Sequence, residues 1–210
     1  MKTKYHIEIT RKALADYFSE HALRDVVQGN IRQDRIRNQF DHDHIHFDGS
    51  AFGSGFDYLE RQKQSVIDSI NIEAYNSARQ SLGRVTHSWQ DFYSHSNYVR
   101  LWLADHAELA PAEIEINKPE IISHPDLKSG KNYGLLDFLA MIPGISRLIK
   151  PHMPDDSHAA MNLDSFEAGE LFHFVYQAAL KQTHSVFKDL KFEMERRRIP
   201  QEKIATFLGK

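Results

Sequence analysis

Apolar side chains recur at helical spacing along most of this 210-residue chain, and alternating strand patterns are nearly absent. That periodicity predicts an all-α fold. A first helical run covers Ile9 to Val27, with Ala13, Leu14, Tyr17, Phe18 and Leu23 at helical spacing and Thr10 as its N-cap. A short helix is expected near Asn30 and Asp34, another from Phe56 to Ile70, and a long one from Ile72 to Leu103 with a kink near Gly83. The last long helix is expected from Ser165 to Arg197, ended by Pro200. Asp41 to Gly55, Ala110 to Lys131 and Pro151 to Leu163 read as loops, and Glu113 to Ile122 is a weak strand candidate. Leu135 to Ile149 reads as an amphipathic or buried helix broken at Pro143-Gly144. With no internal repeat and no low-complexity tract, residues 1–210 are read as a single helical domain.

The chain is long enough to bury a core without cross-links. It has no Cys, so disulfides and thiolate metal sites are excluded. Any metal must be held by His, Asp, Glu or backbone atoms. Thirteen His in a Cys-free chain point toward a His/carboxylate metal site. The net charge of −3 with His neutral provides no global basic field for nucleic acid. The start, Met1 to His6, lacks a secretory pattern, and no apolar run is long enough to span a membrane. The expected location is the cytoplasm, with export by a signal-independent route as the alternative.

The strongest chemical signal is His87-Ser-Trp-Gln-Asp91-Phe-Tyr-Ser-His95-Ser-Asn97. His87, Asp91 and His95 are spaced by four twice, which on a helix places them on one stripe about 80° wide. Two imidazoles flanking a carboxylate can grip one divalent ion or bridge two. The other reading is a polar stripe facing solvent, but Trp89, Phe92 and Tyr93 around it suggest burial. A buried stripe of this kind must be paired or metallated.

A second cluster, Asp41-His42-Asp43-His44-Ile45-His46-Phe47-Asp48, offers three alternate His. His42 and His44 read as solvated, whereas His46, between Ile45 and Phe47, is expected to point inward. A third cluster holds His158, Asn162 and Asp164. Asp164 reads equally as a ligand or as an N-cap, with Glu167 at the capping-box distance. Alone, Asp34 reads as a surface acid and His6 as a terminal His. His106, His124, His152, His173 and His184 read as structural or surface residues. There is no nucleotide-binding Gly-rich loop, and Ser94 beside His95 is not a nucleophile elbow.

Leu82-Gly83 through His87, Gln90-Asp91-Phe92-Tyr93 and His95-Ser96-Asn97 resembles the Het-C family (heterokaryon-incompatibility protein C), whose hallmark is a helix reading LGxxxHxxQDFYxHSN. His6-x-x-Ile9-Thr10, His46-Phe47-Asp48 and His158 through Asp164 fall in the family's order. Het-C proteins are in turn similar to the zinc-dependent phospholipase C and single-strand nuclease superfamily, all-α proteins with a multinuclear zinc cleft. The resemblance implies that Asp34, His46, His87 and Asp91 hold one zinc. It implies that His95 and His158 hold a second, completed by Asp164 or Asn162, and that His6 and Asp91 hold a third. Two or three zinc ions are thus expected. The chain departs from the superfamily pattern in lacking its N-terminal Trp, in the closer spacing of Asp91 and His95, and in Asn162 standing where an acid is usual.

The implied activity is zinc-dependent phosphodiester hydrolysis of the phospholipase C type, with Asp34 orienting the attacking water or accepting its proton. A phospholipid or membrane surface is the expected partner. Leu135 to Ile149 reads either as a segment that dips into lipid or as a core helix. One alternative is a non-catalytic toxin or recognition module with structural metals and a protein partner, since Het-C proteins are associated with cell death and incompatibility. A single-strand nuclease is the other; Tyr98, Arg100 and Trp102 support it faintly and the acidic balance argues against it.

Overall fold

The structure is a computed structural model and describes residues 1–35, 42–131, 133, 144, 149 and 152–210. Among these residues the chain is helical and has no strand. Two isolated bridges occur, Ser96 with Ser129 and Lys131 with Ser157. The helices are α1 (Thr3–Leu14), α2 (Glu20–Ile31), α3 (Asp43–His46), α4 (Phe52–Asn71), α5 (Tyr75–His95), α6 (Tyr98–Asp105), α7 (Pro119–Ile122), α8 (His158–Met161), α9 (Leu171–Arg196) and α10 (Gln201–Leu208). One hydrophobic cluster joins Tyr5 and Ile9 of α1 to Phe207 of α10.

Several boundaries differ from the sequence reading. The run expected from Ile9 to Val27 is two helices. The chain turns after Leu14, and α2 restarts where Ser19 Oγ accepts from Ala22 N. Thr10 is not a cap; it sits fully buried within α1. The long helix expected from Ile72 to Leu103 breaks at Ser96-Asn97 rather than at Gly83. The weak strand candidate is a 3-10 turn at Pro111–Glu113 followed by α7. The loops around Asp41 and Pro151 contain α3 and α8, and Pro200 precedes a further helix, α10. The apolar segment Leu135 to Ile149 lies outside the described residues apart from Gly144 and Ile149.

The central element is α5, whose residues are almost all buried from Val85 to His95. It is packed by α2, α4 and α9. Against α2 the approach is close enough to require glycine on both helices. A Cβ at Gly83 would stand 2.2 Å from the Val26 carbonyl oxygen, and one at Gly29 would stand 2.4 Å from that of Gln80. This crossing brings Asn30 of α2 against Thr86 of α5. On the opposite side, Trp89, Phe92 and Tyr93 enter an aromatic cluster with Phe47, Phe56 and Tyr98. Aromatic burial faces one way, and the His-Asp-His stripe is left to face another.

Candidate metal centre

The stripe expected on α5 is present and fully interior: His87 and Asp91 have no exposed surface and His95 almost none. Asp91 is its hub. Its Oδ2 lies 2.8 Å from His46 Nδ1 and 2.9 Å from His87 Nε2. Its Oδ1 lies 2.8 Å from the Met1 amine and 3.2 Å from His6 Nε2. Burial opposes the charge on Asp91, but the Met1 amine, His87, His95 and His6 around it hold its carboxyl well below the usual range.

Phe47 supplies both of its neighbours to the site. It takes a left-handed conformation (φ 58°) that costs a non-glycine residue roughly 1–2 kcal/mol. Its ring is fully buried, 5.2 Å from the rings of both Phe56 and Phe92, and this packing holds the turn. The turn presents His46 to Asp91 and Asp48 to His95 and His158. At the far end, Asn97 clamps the 126–128 segment, accepting from Lys128 N at 2.8 Å and donating to the Asp126 carbonyl at 2.9 Å. The segment continues into Lys131, whose carbonyl accepts from His158 N. His158 is thereby delivered to the site.

Among the described residues, two sets of side chains have potential ligand atoms within 4.8 Å of one another. One is His6, Asp34, His87 and Asp91; the other is Asp48, His95 and His158. Seven of these atoms come from five separated stretches of chain, and the sets adjoin because Asp91 and His95 are one turn apart on α5. The grouping differs from the one the sequence resemblance implied. His6 joins Asp34, His87 and Asp91, while His46 lies between Asp91 and His87, its Nδ1 3.2 Å from His87 Nε2. Asp48, not counted among the ligands by the sequence reading, joins His95 and His158. It lay at the end of a run of alternating His and Asp in which the apolar neighbours marked His46 alone as facing inward.

Asp164 does not act as an N-cap; Ser165 precedes the 3-10 turn at Phe166–Ala168. Its Oδ1 lies 2.9 Å from the Met1 amine and 3.4 Å from His95 Nε2. Asn162 Nδ2 lies 2.5 Å from His158 Nε2. Asp34 stands at the rim, its side chain 25% exposed, 3.7 Å from His87 Nε2 and accepting from Thr3 Oγ1. His106 stacks on Trp102 and His184 meets the Tyr17 hydroxyl, away from both sets.

Charge is unevenly spread over the imidazoles. Burial pulls His87 down to about 4 against the attraction of Asp91. Burial and the Met1 amine oppose charge on His95, yet Asp91 and Asp48 raise it to about 10. Burial works against His46 as well, and the hydrogen bond to Asp91 raises it nonetheless. Asp48 is held below its usual range by His95 and His158 in spite of burial. The neutral His87 and the ionised carboxylates are the forms that ligate metal. His6 Nε2 is buried and has no hydrogen-bond partner, although Asp91 is 3.2 Å away. An imidazole nitrogen left in this way suits a cation better than a proton donor or acceptor.

The family model describing the VWA7 N-terminal domain matches residues 5–118. The chain belongs to that family. Over 80 residues it is 36% identical to von Willebrand factor A domain-containing protein 7 of Rattus norvegicus and 35% identical to that of Homo sapiens. Each match covers 38% of this chain and 9% of the relative, so the chain spans only a small part of those proteins. No solved structure matches the chain. This corrects the Het-C resemblance. Its hallmark helix, residues 82–97, lies inside the stretch matched by the VWA7 model. That helix carries glycine at its crossing with α2, His and Asp at every fourth position and aromatics on another face. Such features make a long pattern without fixing ancestry.

Proposed function

We propose that this domain binds two zinc ions and hydrolyses phosphodiesters. The observation that carries the reading is the pair of adjoining His/carboxylate sets, with His6 Nε2 buried among ionised carboxylates and unpartnered. The donor set fits zinc: imidazole nitrogens and carboxylate oxygens, with no thiolate in the chain. His6, Asp34, His87 and Asp91 would hold one ion, and Asp48, His95 and His158 the other. Bound there, zinc would polarise a phosphoryl oxygen and lower the pKa of a water, the chemistry that paired metal sites bring to phosphoryl substrates.

The chain's own groups divide the remaining work by their exposure. His6, His87 and Asp91 are sealed from solvent and serve to bind. Asp34, Asp164 and His158, with side chains 25%, 35% and 24% exposed, form the face a substrate can reach. Asp34 is the residue to orient the attacking water and take its proton. Phospholipid is the first substrate class and a membrane surface the first partner. Among the described residues no helix is long and apolar enough to cross a membrane.

The burial of His6, His87 and Asp91 favours a second reading, in which their ion is a structural staple and the domain recognises a partner without turnover. The discriminating experiment supplies zinc to the purified domain and measures phosphate-ester release from phosphatidylcholine vesicles and from single-stranded DNA. The hydrolase reading expects zinc-dependent release that Asp34→Asn lowers about 100-fold or more. Zinc uptake with no turnover of either substrate would establish the staple reading instead.

A further inference from the structure

A fully buried polar network lies behind the first ligand set, made by Thr10 of α1, Asn30 of α2, Thr86 and Gln90 of α5, and Thr183 of α9. Hydroxyl protons within it dictate the orientation of each amide. Thr183 Oγ1 donates to the Ala179 carbonyl one turn back at 2.8 Å. Its single proton is thereby used, so its 3.1 Å contact with Gln90 is a bond accepted from Gln90 Nε2. Gln90 Oε1 then faces His6 Nδ1 at 2.6 Å. An amide oxygen only accepts, so a proton sits on His6 Nδ1, and Nε2 is the nitrogen turned toward Asp91.

The same logic runs through a second chain of contacts. Thr86 Oγ1 donates to the Gly83 carbonyl at 2.8 Å and therefore accepts from Asn30 Nδ2 at 3.0 Å. Asn30 Oδ1 is left facing His87 Nδ1 at 3.4 Å. His87 thus has its proton on Nδ1 and its lone pair on Nε2, directed at Asp91 2.9 Å away. Thr10 Oγ1 ties the two chains together, accepting from Asn30 Nδ2 and from Gln90 Nε2, each at 3.1 Å. Both Nε2 atoms face the Asp91 carboxylate at close range, His6 with no other partner and His87 with His46 Nδ1 also 3.2 Å away, and a cation between ring and carboxylate satisfies both.

We propose that Thr183–Gln90 and Thr86–Asn30 are two positioning relays that fix His6 and His87 as Nδ1–H tautomers, so that both offer Nε2 to one divalent ion. Each relay starts at a helix carbonyl that a Thr hydroxyl must serve, and passes through one amide to one ligand. This rests on the metal reading of the first set. Outer partners of this kind orient ligands in metal sites and are worth about 10–100-fold in affinity.

The test combines ¹⁵N NMR of the imidazoles in the metal-free domain near pH 7 with zinc competition titrations. It compares the wild type with Thr183→Val, Thr86→Val and Thr183→Ser, circular dichroism confirming the fold of each. The wild type is expected to show His6 and His87 as Nδ1–H tautomers. Thr183→Val is expected to let Gln90 turn, shift the His6 tautomer and weaken zinc binding about 10–100-fold. Thr86→Val should do the same through His87, and Thr183→Ser should restore the wild-type pattern. A wild-type His6 protonated on Nε2 overturns the proposal. So does Thr183→Val with the same tautomer and zinc affinity within two-fold of wild type. Should the wild type show both Nδ1–H tautomers and take up no zinc, the relays stand and the metal reading falls.

Discussion

His158 Nδ1 donates to Asp48 Oδ1 at 2.8 Å, although 110 residues separate them. Asp48 Oδ1 is also 3.2 Å from His95 Nδ1. One carboxylate therefore joins the turn after α3, the end of α5 and the start of α8. Asp48→Asn removes its charge and one ligand oxygen from the second set and leaves the first intact. The expected outcome is loss of the ion proposed for the second set, with its affinity reduced at least about 100-fold and the ion of the first set retained. Isothermal titration with zinc reads this directly, and an unchanged two-site curve would exclude Asp48 as a ligand.

Gly83 is expected to tolerate no side chain. A Cβ there meets backbone, the Val26 oxygen at 2.2 Å and the Asn30 nitrogen at 2.5 Å, so neither neighbour can rotate away. Gly83→Ala should cost roughly 2–3 kcal/mol by urea unfolding and displace Asn30 from Thr86. A stability unchanged within about 0.5 kcal/mol would show that α2 and α5 do not cross so closely.

Arg79 ties the C-terminal helix to the core. Its guanidinium donates to Asp25 Oδ2 at 3.0 Å and to the carbonyls of Thr206 and Phe207 at 2.7 and 2.9 Å. Both side chains are nearly buried. Asp25→Asn should cost about 2–3 kcal/mol, because it leaves a buried cation with neutral partners only. Hydrogen exchange should rise in α10 first, and equal exchange in all helices would contradict the assignment.

The metal-free domain should be most stable near pH 6.5. The folded pKa of His87 is about 4, below its ordinary 6.5. As pH falls from 6.5 to 4, the unfolded chain gains a proton that the folded chain does not, and roughly 3 kcal/mol is lost. His95 behaves in the opposite sense, with a folded pKa of about 10. Its stabilisation is complete below 6.5 and disappears as pH rises to 10. Thermal unfolding in chelator should show a midpoint that declines on both sides. A flat profile from pH 5 to 9 would contradict this charge distribution.

The helical class and the interior stripe on α5 were legible because both are local: periodicity at 3.6 residues and ligands at every fourth position. Helix ends were less so. The turn between Leu14 and Ser19 has neither Pro nor Gly, and only the Ser19 cap marks the restart. The partner choices of the site were only partly legible: Asp34 with His87 and Asp91, and His95 with His158, were expected together, whereas the places of His6 and Asp48 were not. Asp48 reaches His158 through the left-handed turn at Phe47, which a bulky aromatic gives no reason to expect. His6 belongs with His87 because α1 lies beside α5, and their rings stack at 4.3 Å. Gln90 and Asn30 carried no chemical signal in sequence, since an amide becomes informative only when its neighbours' protons are accounted for. The Het-C reading took its hallmark from α5, a stretch that the VWA7 N-terminal domain model matches.

The most direct measurement is elemental analysis of the wild-type domain, produced without a metal-affinity tag and dialysed against trace zinc. The account predicts two zinc ions per chain, and one in a Asp48→Asn variant prepared alongside. Wild-type protein that is folded and carries no divalent metal would contradict it, and the two His/carboxylate sets would then be a buried charge network and nothing more.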